Sequence, residues 1–488
     1  MTNLRKARAH AERLAAAATS GDSEVWAAEA RALVALDGRA WLTLDQAARV
    51  WQPERGPAVS GAAGWLGPSA GEATGFVAAV TSMHGDGRVR QRATRLLARV
   101  EGPLASLALA ARLLDRAPQV RAEARRGVLL RRAPADVAAV LDVLLAGRSR
   151  LRAPDALALG RALVLDADPA ADVAAALLHS ERVAVRRWAF ALAHERGVLT
   201  ADRLLADLPA ERDQWLRRAF ARWVVEVAEP ARLRPLLSAR PVDARLVALT
   251  HLPDDALHDD ELRGLLLDAA PRVREQARVR ATPRGIDVAA RYREALAGPG
   301  VPPRVVAACV DGLAVVGGAE DLATFAAALG HAAPRVRAAA ASAVGTRAAR
   351  DDVLRRLSPL LLDPSPHVAL AAARALARRG APRSTADAAW ASDQPWSRRA
   401  AWRLVRGSGS WERVEADLRA AADVDPGLAW RGRVGVLTWL EHGASRTWAE
   451  LSEAQGARIA GLLDGVALTD AQRRAIEFHA GLAPRGAR

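Results

Sequence analysis

Apolar residues recur along this chain in a fixed figure: a start position, then small or apolar residues at +4, +7 and +8, the spacing that lines one face of a 3.6-residue helix. Eleven starts fit it: Val89, Val120, Ala156, Val185, Leu216, Val242, Val273, Val305, Val336, Val368 and Trp396. Successive gaps run from 26 to 36 residues, with a mean near 31. A period of this size marks stacked repeats, because no single unit can bury its apolar face alone.

One unit shows the logic. Val336, Ala340, Ala343 and Val344 form the first stripe, and Leu354, Leu357, Leu360 and Leu361 form a second. The stretch from Gly345 to Asp351 reads as the break between two helices, and Asp363, Pro364 and Pro366 close the unit. A small residue at +4 lets two helix backbones approach, while branched residues at 0 and +8 fill the space beside it. The unit is a helical hairpin. The chain is therefore expected to be all-α, a right-handed α-α superhelix of about eleven hairpins spanning 85–421. An irregular helical cap is expected over 1–84, with an exposed Gly- and Trp-bearing loop near Gly56–Gly75. A second helical cap is expected over 422–488, ending in the basic tail Pro484–Arg488.

Tetratricopeptide units carry a tyrosine, yet Tyr292 is the only one here, and the Thr-Pro-Leu-His turn of ankyrin units is absent. The segments Pro334-Arg-Val-Arg-Ala-Ala-Ala-Ala341, Pro271-Arg-Val-Arg-Glu-Gln-Ala-Arg278 and Pro118-Gln-Val-Arg-Ala-Glu-Ala-Arg125 resemble the short HEAT-like repeats first recognised in phycobilin lyases. The resemblance covers roughly 85–421 and speaks to fold, since such repeats serve lyases, hydroxylases, adaptors and DNA-binding proteins alike. It implies a ladder in which the Arg after the first Val pairs with an Asp in the preceding turn: Asp115 with Arg121 and Asp268 with Arg274. Ser180 with Arg186 and His331 with Arg337 keep only the Arg, and Asp363 faces Ala369. Arg90, Arg121, Arg186, Arg274 and Arg337 are accordingly assigned to the scaffold.

Charge narrows the partner. Lys and Arg number 70 against 55 Asp and Glu, a formal charge of +15, and Lys6 is the sole lysine. The excess suits an acidic partner, whether nucleic acid, an acidic protein surface or an anionic membrane. Cys309 is alone, which rules out an intramolecular disulfide and a cysteine metal cage, and its +4 place in a repeat marks it as a buried small side chain. Residues 1–20 lack the apolar run of a secretory signal, and no eighteen-residue apolar stretch predicts a membrane span. A cytoplasmic, reducing setting is the expectation.

Catalytic patterns are missing. His194-Glu195 lacks the second His of a zinc protease, and one such pair is too few for a HEAT-repeat hydroxylase of the deoxyhypusine type. Asp166, Asp168 and Asp172 lack the Gly and terminal Glu of a calcium loop. His258-Asp-Asp-Glu261 reads as an acidic first turn, and Gly407-Ser-Gly-Ser410 as a turn between helices. No cofactor, metal or catalytic residue is predicted.

Binding chemistry resides in arginine and tryptophan. Nine Arg lie between Arg116 and Arg152, a balance of +6, and seven between Ala270 and Arg293, a balance of +5. Trp390, Trp396, Trp402, Trp411, Trp430, Trp439 and Trp448 crowd the last quarter, where Trp and Arg interleave from Trp396 to Arg406. These residue types dominate binding hot spots. Arg125, Arg132, Arg278, Arg399, Trp402 and Arg403 are the predicted partner contacts. The reading is a non-enzymatic scaffold for an acidic protein; the alternative is nucleic-acid binding along a basic concave face. The second is similar to DNA alkylation-repeat glycosylases in composition, though those chains are shorter and no catalytic Asp matches. Oligomeric state stays open.

Overall fold

Proline starts the repeats. Pro103, Pro118, Pro134, Pro271, Pro303, Pro334, Pro366, Pro395 and Pro426 each stand in the first turn of a helix, where the missing N–H costs nothing and the fixed φ suits the helix. A few residues ahead of many of these prolines a side chain bonds the N–H two positions on. Asp115 takes the N–H of Ala117 at 3.0 Å, Asp268 that of Ala270 at 2.7 Å, Asp363 that of Ser365 at 2.8 Å and Asp423 that of Asp425 at 2.8 Å. His331 does the same with Nδ1, accepting from Ala333 at 2.9 Å. The computed structural model describes residues 2–49, 74–166, 170–407 and 409–482, and shows an all-α solenoid with 28 α-helices and no strand among them. Residues 56–73 of the expected loop, with Trp51, Trp65, Asp168 and the tail Pro484–Arg488, lie outside the described residues, as does the side chain of Asp172.

Two files of arginine tie each repeat to the next. In the first file the Arg after the buried start reaches both ways. Arg90 Nη1 donates to the carbonyls of His84 and Gly85, six and five residues back, while Nε and Nη2 grip Asp115 of the following repeat, each at 2.9 Å. Arg245 repeats this with Ala239, Arg240 and Asp268. Arg337 does so with His331, Ala332 and Asp363, and Arg398 with Ser392, Asp393 and Asp423. The expected ladder pairs are thereby shifted by one repeat. Arg121 and Arg274 meet Asp115 and Asp268 through the backbone carbonyl, because the carboxylates of those two residues belong to the preceding arginine. Asp363 keeps its rung, because its partner is Arg337 and not residue 369.

The second file caps helix ends. Arg131 bonds the carbonyl of Leu97, and Arg280 those of Leu249 and Leu252. Arg347 bonds those of Ala314, Val315 and Gly317, and Arg379 those of Gly345, Thr346 and Ala348. Each guanidinium comes from the end of the next repeat's helix. The last carbonyls of a helix have no partner within it and carry its negative dipole end, so a cation placed there contributes about 0.3–1 kcal/mol, more where water is excluded.

Two starts need re-registering. The residue just before the ladder Arg is the buried one, which makes Ala244 and Ser397 the starts in place of Val242 and Trp396. Gly345 is not a break either: it lies inside the Pro334–Arg347 helix, where a Cβ would stand 2.3 Å from that of Ala375.

The chain forms two compact units, Met1–Ala228 and Glu229–Arg488. In the second, the helices Pro303–Val316, Pro334–Arg347, Pro366–Arg378 and Pro395–Arg406 pack side by side as a row, and the shorter helices Leu322–Ala328 and Arg350–Leu357 lie on its other side. The flank facing the next helix carries Ala341 and Gly345, then Ala373 and Ala377, small enough for close approach.

In the first unit the helices Ser23–Val34 and Gly38–Ala48 fold over Pro103–Leu113 and Pro134–Ala146, which are buried almost all round, and Thr2–Thr19 packs on Gly38–Ala48. Gly38 sits against the backbone of Asp142 and donates its N–H to the Asp142 carboxylate at 2.9 Å. Arg182 locks the layer from beyond, bonding the carbonyls of Val34 and Leu36 and the same carboxylate. Beneath lies a largely buried ion cluster. Arg112 pairs with Asp45 and the Ser82 carbonyl, and Arg49 bridges Asp45 and Asp115. Burial pushes the Arg112 guanidinium down to about 10. Burial alone would raise Asp115, but the Arg90 hydrogen bonds and the charges of Arg112 and Arg49 outweigh it and hold the carboxyl well below its usual range.

Two outcomes follow from this packing. Asp115→Asn should cost about 3–5 kcal/mol at pH 7, because it strands buried arginines. Since the folded carboxyl titrates below its unfolded value near 3.9, its stabilisation is present above that pH and lost below it, so the gap between wild type and variant should close in urea melts taken under pH 4. Gly345→Val should destabilise by about 1–3 kcal/mol, read from the same melts, by forcing the row apart at Ala375.

Candidate partner-binding face

Each row helix turns one stripe toward solvent, at −1, +2, +6 and +10 from its buried start. On Pro334–Arg347 the stripe runs Arg335, Ala338, Ser342, Thr346, nearly neutral. On Pro366–Arg378 it runs His367, Leu370, Arg374, Arg378, and on Pro395–Arg406 it runs Trp396, Arg399, Arg403. The face therefore becomes basic toward its C-terminal end. Arg374, Arg378 and Arg403 are exposed and make no hydrogen bond or ion pair among the described residues. Arg399 is half-buried, 3.7 Å from Asp425.

Contrast the basic stretch between Ala270 and Arg293. Arg280 and Arg284 are spent on carbonyls and on Asp254, Arg291 on Glu294, and Arg293 on Asp321 and Glu320. Arg274 reaches backbone carbonyls and Asp311, leaving Arg278 half-buried 3.5 Å from the Tyr292 hydroxyl. Apart from Arg272, which is exposed and makes no hydrogen bond or ion pair among the described residues, that charge is scaffold.

The six predicted contacts are divided between the two units. Arg125 and Arg132 are exposed in the first unit, where Arg132 turns back on the carbonyls of Leu129 and Arg131. Arg278 lies in the same unit as Arg399 and Arg403 but on a helix several repeats earlier in the chain. Trp402 is a correction: it is 6% exposed, and its Nε1–H donates to Asp417 at 2.8 Å. Arg406 lies over its ring at 5.4 Å and bonds the same carboxylate. Trp402 and Arg406 occupy the flank that carries Ala341 and Gly345 two helices earlier. They are too large for a neighbour to pack there, and the row stops. The next long helix, Pro426–His442, lies instead against Ser410–Ala421 through Gly432 and Gly435, whose added Cβ atoms would stand 2.2 Å from Ala421 N and 2.4 Å from the Asp417 carboxylate.

Most of the crowded indoles are core. Trp411 donates to the Ala449 carbonyl and Trp439 to Thr447 Oγ1, while Arg419 covers the Trp390 ring at 4.6 Å; Trp396 is half-buried, its Nε1–H on the Asp363 carbonyl. Trp430 and Trp448 are the exposed ones of this group. Reading the last quarter as one Trp-rich segment does not separate them; the +2 repeat position, shared by Arg399 and Trp430, does. The same register finds Arg374 at +6, which the sequence reading missed.

Elsewhere, burial pushes the Cys309 thiol up to about 11, His194 stacks on Trp223 at 4.5 Å beside Glu226, and Glu261 accepts the His258 N–H as a helix cap. Among the described residues no group of three or more His, Cys, Asp or Glu is placed to hold a metal ion, and no helix is long and apolar enough to cross a membrane.

A family model described as HEAT repeats matches residues 322–406, the part of the chain that contains this basic face. No curated protein matches the sequence. Among solved structures the chain is similar to Kap121p bound to Nup53p at 13% identity, covering 97% of this chain and 53% of that one with a TM-score of 0.26. It is also similar to Kap95p in complex with RanGDP, at 12% identity, 97% and 66% coverage and a TM-score of 0.28. An engineered protein aligns at 18% identity over 88% of this chain with a TM-score of 0.17. The chain spans about half the length of the Kap121p chain it matches. Fits this loose transfer no role.

The core and surface assignments separate cleanly on mutation. Trp402→Ala should cost about 3–5 kcal/mol in urea unfolding, and Arg403→Ala should stay within about 0.5 kcal/mol of wild type.

Proposed function

We propose that this chain is a binding scaffold without chemistry of its own, which holds an acidic protein on the C-terminal end of its second unit. One observation carries the reading. Arg374, Arg378 and Arg403 stand unpaired on adjacent helices, in a molecule that spends its other arginine files on carbonyls and carboxylates. A guanidinium offers a rigid fork that fits a carboxylate bidentately, so such a file favours successive acidic side chains. A HEAT-repeat surface supplies many such contacts along a continuous face. The lone Cys309 fits work in a reducing compartment such as the cytoplasm.

Nucleic acid is the competing reading, since the same file could follow phosphates. Fluorescence anisotropy with a labelled poly-glutamate peptide and a labelled DNA duplex separates them. The peptide should bind, and the double variant R374E/R403E should weaken it by about tenfold or more. If instead the duplex binds, loses affinity steeply between about 50 and 200 mM salt, and outcompetes the peptide, the protein-scaffold reading fails.

A further inference from the structure

The row's early stop leaves a helix face with nothing on it among the described residues. Gly432 and Gly435 draw one side of Pro426–His442 against Ser410–Ala421, and the other side is open. Trp430, Val434 and Leu437 lie along it at 63%, 41% and 44% exposure, spaced i, i+4 and i+7. Such a spacing forms one apolar strip of about two turns, on the order of 10 Å long. Single exposed apolar residues are ordinary; three in helical register on one face mark a contact surface.

Charge says what covers it. Arg431 and Arg433 flank the strip, both exposed and neither hydrogen-bonded nor ion-paired among the described residues. Arg399 joins it to the basic file, its Nη2 lying 3.6 Å from where a Cβ on Gly427 would stand, one turn before Trp430. Asp425 is already engaged as a helix cap and beside Arg399, leaving Glu441 as an exposed carboxylate at the far end.

We infer that this strip docks an amphipathic helix of the partner protein, one whose apolar residues repeat at the same spacing and whose flanks carry Asp and Glu. The inference rests on the scaffold reading above and specifies the partner's form. A helix laid along Pro426–His442 covers Trp430, Val434 and Leu437 with its apolar face and brings its carboxylates to Arg431, Arg433 and Arg399. A phosphate backbone would satisfy the arginines but leave the indole and both aliphatic side chains in water.

The test uses two labelled peptides of identical composition, with the full chain titrated by anisotropy. One places Leu at i, i+4 and i+7 with Glu on both flanks; the other scrambles the leucines and keeps the charge. The stripe peptide should bind at least tenfold more tightly than the scramble. W430A/L437S should abolish that difference while leaving poly-glutamate binding intact, and R431E/R433E should weaken the stripe peptide by tenfold or more. Circular dichroism of each variant should match wild type, as all four residues are exposed. Equal binding of stripe and scramble overturns the inference and leaves the basic file standing as a charge-only site. Failure of both peptides and of poly-glutamate removes the scaffold reading as well. A concentration-dependent dimer that W430A/L437S converts to monomer would also overturn it, since a second copy would then be the occupant.

Discussion

The architecture depends on arginine meeting the ends of helices. A stack of short helices multiplies helix termini, and each terminus buries carbonyls with no partner in its own helix. Arg90, Arg245, Arg337 and Arg398 serve the turns that open the helices, and Arg131, Arg280, Arg347 and Arg379 serve the carbonyls that close them. In the second group only Arg280 also meets a carboxylate, that of Asp254. Part of the excess of 70 basic over 55 acidic residues is thus stabilised by helix-end carbonyls rather than by counter-charges. Net charge by itself is a poor guide to where a partner binds.

A small change of side chain size sets the extent of the row. Alanine and glycine on one flank permit the next helix to lie close, and the approach is tight enough at Gly345 to forbid even a methyl group. Where Trp402 and Arg406 replace them, Asp417 is enclosed from three sides, and burial lifts its carboxyl above the ordinary range despite the Trp402 and Arg406 hydrogen bonds. Packing, not a loop, ends the array. The uncovered surfaces arise at that point because periodicity fails there.

The helical hairpin was legible because its signal is local: Pro, then an apolar start, then a small residue at +4 within one turn of Val336 or Val368. Burial of Cys309 was readable for the same reason. The ladder was half legible. Arg337 and Asp363 are both visible in the sequence, but 26 residues separate them, and only the stacking shows that the pair crosses repeats. Trp402 was misplaced because an indole on an arginine-rich helix looks the same in sequence whether or not its N–H has a buried acceptor. Arg374 was recoverable from the start at Val368, and Trp430 from register once the buried Leu428 is taken as the next start.

The fold of the first unit has a temporal side. The Ser23–Val34 helix and the turn after it are fastened by Arg182, 148 and 146 residues further on. At ribosomal speeds of about 5–20 residues per second, that partner emerges roughly seven to thirty seconds after the segment it secures. For that interval the carbonyls of Val34 and Leu36 wait for the guanidinium that will cap them. The helices that the leading segment packs on, through Pro134–Ala146, are made first, and the clasp that secures it closes last.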